Sequence, residues 1–201
     1  MNRAELTHQR VFSDKEMADR YFKRNSKNIE RVAQRFVGLL KKTGFSKGNV
    51  LDSGCGFGTM SIVLAKSFPN INIKAVDLSG PLLEMARQKA REEGVGDRVD
   101  FLKADVAKLP FEDNSFDLSL NSFMLHIVDR PVDMLNEIER VTRDGGRIMM
   151  TDLRRFWMGL FMNKVKSSFV LEEALGVIKK SNLREGKGSN GLFWWDYMAG
   201  L

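Results

Sequence analysis

Four short polar side chains, Asp52, Asp77, Asp105 and Asn121, each close an apolar run with strand character. Directly after the first of them comes Gly54-Cys55-Gly56-Phe57-Gly58. Alternating glycines behind an apolar run make a tight turn whose bare backbone a ligand can touch. Helical apolar spacing resumes at Ile62, Val63 and Phe68. A helix N-terminus, with free N–H groups and partial positive charge, therefore faces whatever the turn holds. Asp77, about twenty residues beyond the glycines, is suited to accept hydrogen bonds from two ribose hydroxyls and to repel a 2′-phosphate. The expected ligand thus contains a nucleoside. His126, beyond the fourth run, is placed to take a proton from a second reactant; His8 lies in a polar N-terminal stretch.

The elements that position these residues follow from periodicity. Ile29, Val32, Ala33, Phe36, Val37 and Leu40 form one face of an amphipathic helix, which Lys41, Lys42 and Gly44 end. Strands are predicted at about 49–52, 71–77, 99–105, 116–121 and 147–151. Helices are predicted after the glycine turn, from Pro81 to about Glu93, and from Pro131 through Val141. Asp144-Gly145-Gly146 reads as a turn. Such alternation implies an α/β fold: a three-layer Rossmann-like sandwich, with a mostly parallel sheet of about seven strands and helices on both faces. Ligands of such sheets sit beyond the strand C-termini, where the four polar residues stand. Past Asp152 a helix is expected from Val170 to Ser181. Two short strands follow, around 183–187 and 192–197, with Gly188-Ser189-Asn190-Gly191 turning the chain. The apolar Leu192-Phe193-Trp194-Trp195 suggests an edge strand buried in a dimer.

The chain has 201 residues, 43% hydrophobic and 29% charged, which fits one globular domain. That domain divides into an N-terminal helical cap (1–44), a ligand-binding core (45–152), and a lid with C-terminal strands (153–201). No apolar run reaches membrane-spanning length, and the N-terminus lacks the apolar stretch of a secretory signal. One cysteine, Cys55, allows no internal disulfide, which points to the cytoplasm. The net charge of +6 raises a nucleic-acid partner, but the basic residues are interleaved with acids and read as solvated surface.

The glycine step decides against a dinucleotide. Pyrophosphate binders use G-x-G-x-x-G, whereas here the third glycine comes one residue early. Asp52 suits an ammonium group better than a pyrophosphate. Val50 to Gly58 resembles the first motif of class I S-adenosylmethionine-dependent methyltransferases. The resemblance continues through Ala75-Val76-Asp77-Leu78-Ser79, Lys103-Ala104-Asp105-Val106, Leu109 to Asp117, and Ile138 to Gly146. Within that family the chain looks closest to small-molecule enzymes of the ubiquinone and menaquinone type. Ser53 stands where the family usually has an aliphatic residue.

The resemblance implies S-adenosyl-L-methionine as cofactor, S-adenosyl-L-homocysteine as product, and a role for each residue. The Gly54–Gly58 backbone, with Ser53 and Cys55, would pass under the methionine and ribose portion. Asp52 would sit near the ammonium group and Asp77 would take the ribose hydroxyls. Asp105 would accept from the adenine amine while the Val106 N–H donates to the ring. Asn121 and Ser122 would flank the methionine part, Leu78 and Phe57 would give apolar contact, and Tyr21 would reach the carboxylate. No metal ligands are assigned.

Two segments, Phe12 to Phe22 and Leu153 to Phe169, are expected to cap a small-molecule acceptor. The second is basic and aromatic, and reads either as a lid or as a weak membrane-surface contact. His126 is the candidate base, or else it shapes the pocket. A nucleic-acid methyltransferase is the second hypothesis, although Asn121-Ser122-Phe123-Met124 lacks the prolines of a base-flipping turn. A catalytically silent cofactor-binding subunit is the third. A monomer and a homodimer both remain open.

Overall fold

A computed structural model of the chain describes residues 12–155 and 163–200. Its strands are β1 (Lys47–Ser53), β2 (Asn70–Asp77), β3 (Val99–Lys103), β4 (Phe116–Ser122), β5 (Thr142–Leu153), β6 (Lys187–Asn190) and β7 (Trp194–Ala199). They form one sheet in the order β3-β2-β1-β4-β5-β7-β6. The first five strands are parallel; β7 runs antiparallel to both β5 and β6. The helices are α1 (Lys15–Lys42), α2 (Thr59–Ser67), α3 (Gly80–Glu92), α4 (Pro131–Val141), α5 (Asn163–Lys166) and α6 (Leu171–Ile178).

Two cores lie on opposite faces of the sheet. On one face Val32, Phe36 and Leu40 of α1, Leu64 of α2 and Leu83 of α3 meet Val50, Ile73 and Leu120. On the other, Leu135 and Ile138 of α4 and Ala174 and Ile178 of α6 meet Leu51, Ile148, Met150 and Trp195. Side chains alternate along each strand, so β1 supplies Val50 to one core and Leu51 to the other. The three-layer architecture expected from the alternating pattern is the one observed.

α1 starts fourteen residues before Ile29, capped by Asp14, whose carboxylate accepts from Met17 N at 2.8 Å. The apolar stripe misses this half because it packs through aromatic side chains: Tyr21 and Phe22 both lie edge-on to Phe57.

Three details at the C-terminal side correct the expectations. β5 begins at Thr142, and the Asp144-Gly145-Gly146 turn is a bulge within it: Phe116 pairs with Thr142 and Leu118 with Arg147. The sixth strand lies at Lys187–Asn190, later than expected, and the chain turns at Gly191, whose N–H donates to Trp194 O. Gly188 is therefore a strand residue. A Cβ there would stand 2.9 Å from Leu171 Cδ1, so the glycine serves close packing against α6. β7 is not an edge strand but lies between β5 and β6, with Trp195 fully buried. Only Leu192 and Phe193 of that apolar run are exposed, at the hairpin tip.

The middle of the expected lid, including Phe156, Trp157, Leu160, Phe161 and Met162, lies outside the described residues. Its two ends are joined. Arg154 bridges to Phe169, and the Arg155 guanidinium donates to Ser168 O at 2.8 Å and to the Glu173 carboxylate. Among the described residues, no helix is long and apolar enough to cross a membrane.

Candidate active site

The glycine turn is held by the strands beside it. Gly54 N and Cys55 N both donate to Val76 O at 2.9 Å, and Gly58 N closes back on Cys55 O at 2.9 Å. All three glycines have positive φ, at 85°, 54° and 76°. They differ in what surrounds them. A Cβ on Gly58 would press on Ala86 Cβ and Phe101 Cε1, both at 2.8 Å, so Gly58 lets α2 approach α3 and β3. Nothing lies within 4 Å of a Cβ on Gly56, which faces open space.

Asp77 ties this turn to the start of α3. Its carboxylate accepts from Gly56 N and from Ser79 N, each at 2.9 Å. Ser79 caps α3, and its hydroxyl donates to Phe12 O at 2.6 Å. Burial pushes the Asp77 carboxyl above its ordinary value, against the pull of those N–H groups. Asp52 is buried at the end of β1 and accepts from Ser61 Oγ at 2.5 Å. Desolvation raises it to about 6, with the Asp77 charge adding to the rise. Burial likewise pushes the Cys55 thiol well up, helped by Asp52 and Asp77, which makes it a packing residue rather than a nucleophile. Asp105 accepts from Ala107 N at 2.9 Å and from Arg130 Nη2 at 3.1 Å.

These groups line a cleft of about 950 Å³, counting its open mouth, at the C-terminal edge of the sheet. Of the sequence-predicted residues, the cleft brings together Asp52, Gly54, Cys55, Gly56, Phe57, Asp77, Leu78, Asp105, Val106, Ser122 and Tyr21. Ser53, Gly58 and Asn121 are not in its lining. Ser53 and Asn121 are buried and pair with each other: Asn121 Nδ2 donates to Ser53 O at 3.0 Å. His126 is also outside the lining, 1% exposed, with Nδ1 2.5 Å from Asp152 Oδ1. Among the described residues, no group of three His, Cys, Asp or Glu side chains could hold a metal ion.

The sequence reading missed Met124, Ile127 and Val128, which give the cleft part of its apolar lining. Their N–H groups and carbonyls make one helical turn, with Ile127 N and Val128 N both bonded to Met124 O. Spacing of three and four residues puts those side chains on one side of the turn. Phe123, just before it, has φ of 60°, a strained value for an aromatic residue, and its N–H is held by Thr151 O at 2.8 Å. That strain turns Met124 toward Gly54, where a Cβ would collide with it. Asp152 was also missed, although it ends the fifth strand just as Asp52 and Asp77 end the first two.

Residues 51–150 match the family model described as a methyltransferase domain. The chain belongs to this methyltransferase family. It is 38% identical over 126 residues to methyltransferase GfsG of Streptomyces halstedii, covering 62% of this chain and 44% of that protein. It is 30% identical over 146 residues to the ubiquinone/menaquinone biosynthesis C-methyltransferase UbiE of Pseudomonas fluorescens, covering 72% and 56%. The chain thus spans about half the length of the curated relatives it matches. A crystal structure of a putative S-adenosyl-L-methionine-dependent methyltransferase from Methanococcus maripaludis superimposes with a TM-score of 0.77. It is 20% identical, and 96% of each chain is covered, so the likeness is one of fold.

Proposed function

We propose that this methyltransferase binds S-adenosyl-L-methionine in the cleft and passes its methyl group to a small-molecule acceptor. One observation carries the reading: three carboxylates, Asp52, Asp77 and Asp105, line the cleft around a glycine turn, and among the described residues no lysine or arginine lines it. A phosphate-bearing ligand would be repelled there, whereas a cationic nucleoside is favoured. The open space over Gly56 admits a ligand against bare backbone.

Asp77 is positioned to hold ribose hydroxyls, since Gly56 N and Ser79 N fix its plane. Asp105 and the Val106 N–H are available to the adenine. Asp52, with Ser122 and the Tyr21 side of the cleft, is available to the amino-acid portion. Ser122 Oγ is buried without a hydrogen-bond partner among the described residues, as a group awaiting a ligand would be. Phe57 and Leu78 supply apolar contact, while Ser53, Gly58 and Asn121 support the turn from behind. When bound, the cofactor supplies an activated methyl group on sulfur. The protein's task is then alignment and exclusion of water, worth up to about 7–11 kcal/mol.

The acceptor would enter against Met124, Ile127 and Val128, which favours an apolar molecule. The name of one relative, a C-methyltransferase of ubiquinone and menaquinone biosynthesis, is consistent with one. We assign the whole chain to one domain, acting in the cytoplasm.

Calorimetry with S-adenosyl-L-methionine tests the donor site. Asp77→Ala is expected to weaken binding at least tenfold, about 1.4 kcal/mol or more, with the circular dichroism unchanged. Equal affinity in the variant rejects the ribose assignment. Incubation of wild-type protein and methyl-labelled cofactor with a metabolite extract should label one small molecule; label in protein or nucleic acid would reject the acceptor class.

A further inference from the structure

The glycines of the turn leave room for different things, and Gly54 leaves it for a side chain. A Cβ on Gly54 would overlap Met124 Cγ and Sδ and stand 2.8 Å from Cε. The outer half of Met124 therefore lies along the bare backbone of Gly54. The backbone on either side fixes this aim. Met124 O accepts from Ile127 N at 2.9 Å and from Val128 N at 3.1 Å. Phe123 N donates to Thr151 O at 2.8 Å while φ of Phe123 stays at 60°. A strained backbone that its surroundings over-determine is typical of sites where a side chain is kept for its direction. Met124 is half-buried and lines the cleft with Asp52, Gly54, Cys55 and Ser122. The cleft's other methionine, Met60, is 2% exposed and belongs to the core.

Methyl transfer gives a side chain in this place a task. Donor and product share the adenine, the ribose and the ammonium group, so the contacts of Asp105, Asp77 and Asp52 are available to both. They differ at the sulfur, which is a cationic sulfonium before transfer and a neutral thioether after it. The carboxylates favour the cation from a distance, but contact with the sulfur itself needs a neighbour at the methionine portion. On the donor reading that portion runs along Gly54, where Met124 Sδ is a soft, weakly accepting atom. We propose that Met124 is a specificity-determining residue, whose thioether faces the sulfur of the donor and favours the sulfonium over the product. This rests on the S-adenosyl-L-methionine reading of the cleft. The lone pairs of Sδ attract the sulfonium and the polarised hydrogens of its methyl group. They gain nothing from the neutral sulfur of S-adenosyl-L-homocysteine, so the same contact that holds the donor lets the product go.

Met124→Leu tests this, because it keeps the volume of the side chain and removes its sulfur. Calorimetry with S-adenosyl-L-methionine and with S-adenosyl-L-homocysteine reads the ratio of the two affinities. The variant is expected to bind the donor about fivefold more weakly, the scale of one weak C–H contact, and the product within about twofold of wild type. A side chain that only packs on Gly54 would change both affinities by the same factor, and an unchanged ratio overturns the proposal. Wild-type protein carrying ¹³C-methyl methionine decides the matter even if the variant misfolds. The Met124 methyl signal, identified by its contact with Gly54, should take different positions with donor and with product bound. One position for both ligands overturns the proposal. Wild-type protein that binds neither ligand would reject the donor site itself, a failure distinct from an unchanged ratio.

Discussion

The two halves of the sheet are held in different ways. The β1–β3 half is tied mainly through backbone groups: Gly54 and Cys55 donate to Val76 O, and the backbone N–H groups of Gly56 and Ser79 donate to Asp77. The β5–β7–β6 half is tied by ionic and polar pairs between side chains. Arg35 of α1 reaches Asp196 of β7, with one bond at 2.7 Å, and touches Thr151 Oγ1 at 3.3 Å. Arg155 reaches Glu173, and His126 reaches Asp152. A backbone-rich frame suits a ligand of constant shape. Side-chain ties can be exchanged without disturbing that frame.

The comparison is most exposed to a change at Asp196. Asp196→Ala leaves Arg35 without its partner on a mostly buried surface, and is expected to cost about 3 kcal/mol in denaturant unfolding. Cofactor affinity should stay within twofold; a large loss of affinity would show that the halves are not independent.

Asp52→Asn cuts the other way. In the folded protein Asp52 sits at about 6 against an ordinary 3.8. Its contribution to stability is therefore present at low pH and lost as pH rises through about 6. The rise of roughly two units makes the neutral amide more stable by up to about 3 kcal/mol at pH 8, and by almost nothing near pH 4. Binding of a cationic cofactor should show the reverse preference. Wild-type affinity falls as the pH drops below about 6, and the variant's weaker affinity stays flat. Stability and binding that move together with pH would contradict the donor role.

The smallest effect is expected at Gly56. Gly56→Ala meets no atom within 4 Å, so folding should lose only about 1–2 kcal/mol for the left-handed backbone. The new methyl group would occupy ligand space, and affinity should drop several-fold. Unchanged affinity would mean that the ligand passes elsewhere.

The same division explains what could be read from sequence. The donor side was legible because its signals are local: a glycine step, an acid at a strand end, and alternating apolar runs. The sheet order around β1 follows from those signals. Asp152 obeys the same strand-end rule, but its partner His126 lies on another segment, and no spacing joins them. The true turn at Gly191 was hidden because glycine serves both turns and tight packing, and only the nearness of Leu171 shows which applies at Gly188. The early start of α1 was hidden because Tyr21 and Phe22 pack on Phe57, a residue of the glycine turn rather than of a periodic partner.

The placement of β7 between β5 and β6 carries a lesson about the order of synthesis. As the chain leaves the ribosome, Arg35 appears 161 residues before the aspartate that pairs with it. β6 emerges before its single sheet neighbour, β7. Until β7 arrives, β5 presents an open edge, the kind of surface on which growing chains associate. The donor half can be complete while this edge is still bare. The interval between the two is the time in which a nascent chain most needs shelter, and faster translation of residues 154–199 would shorten it.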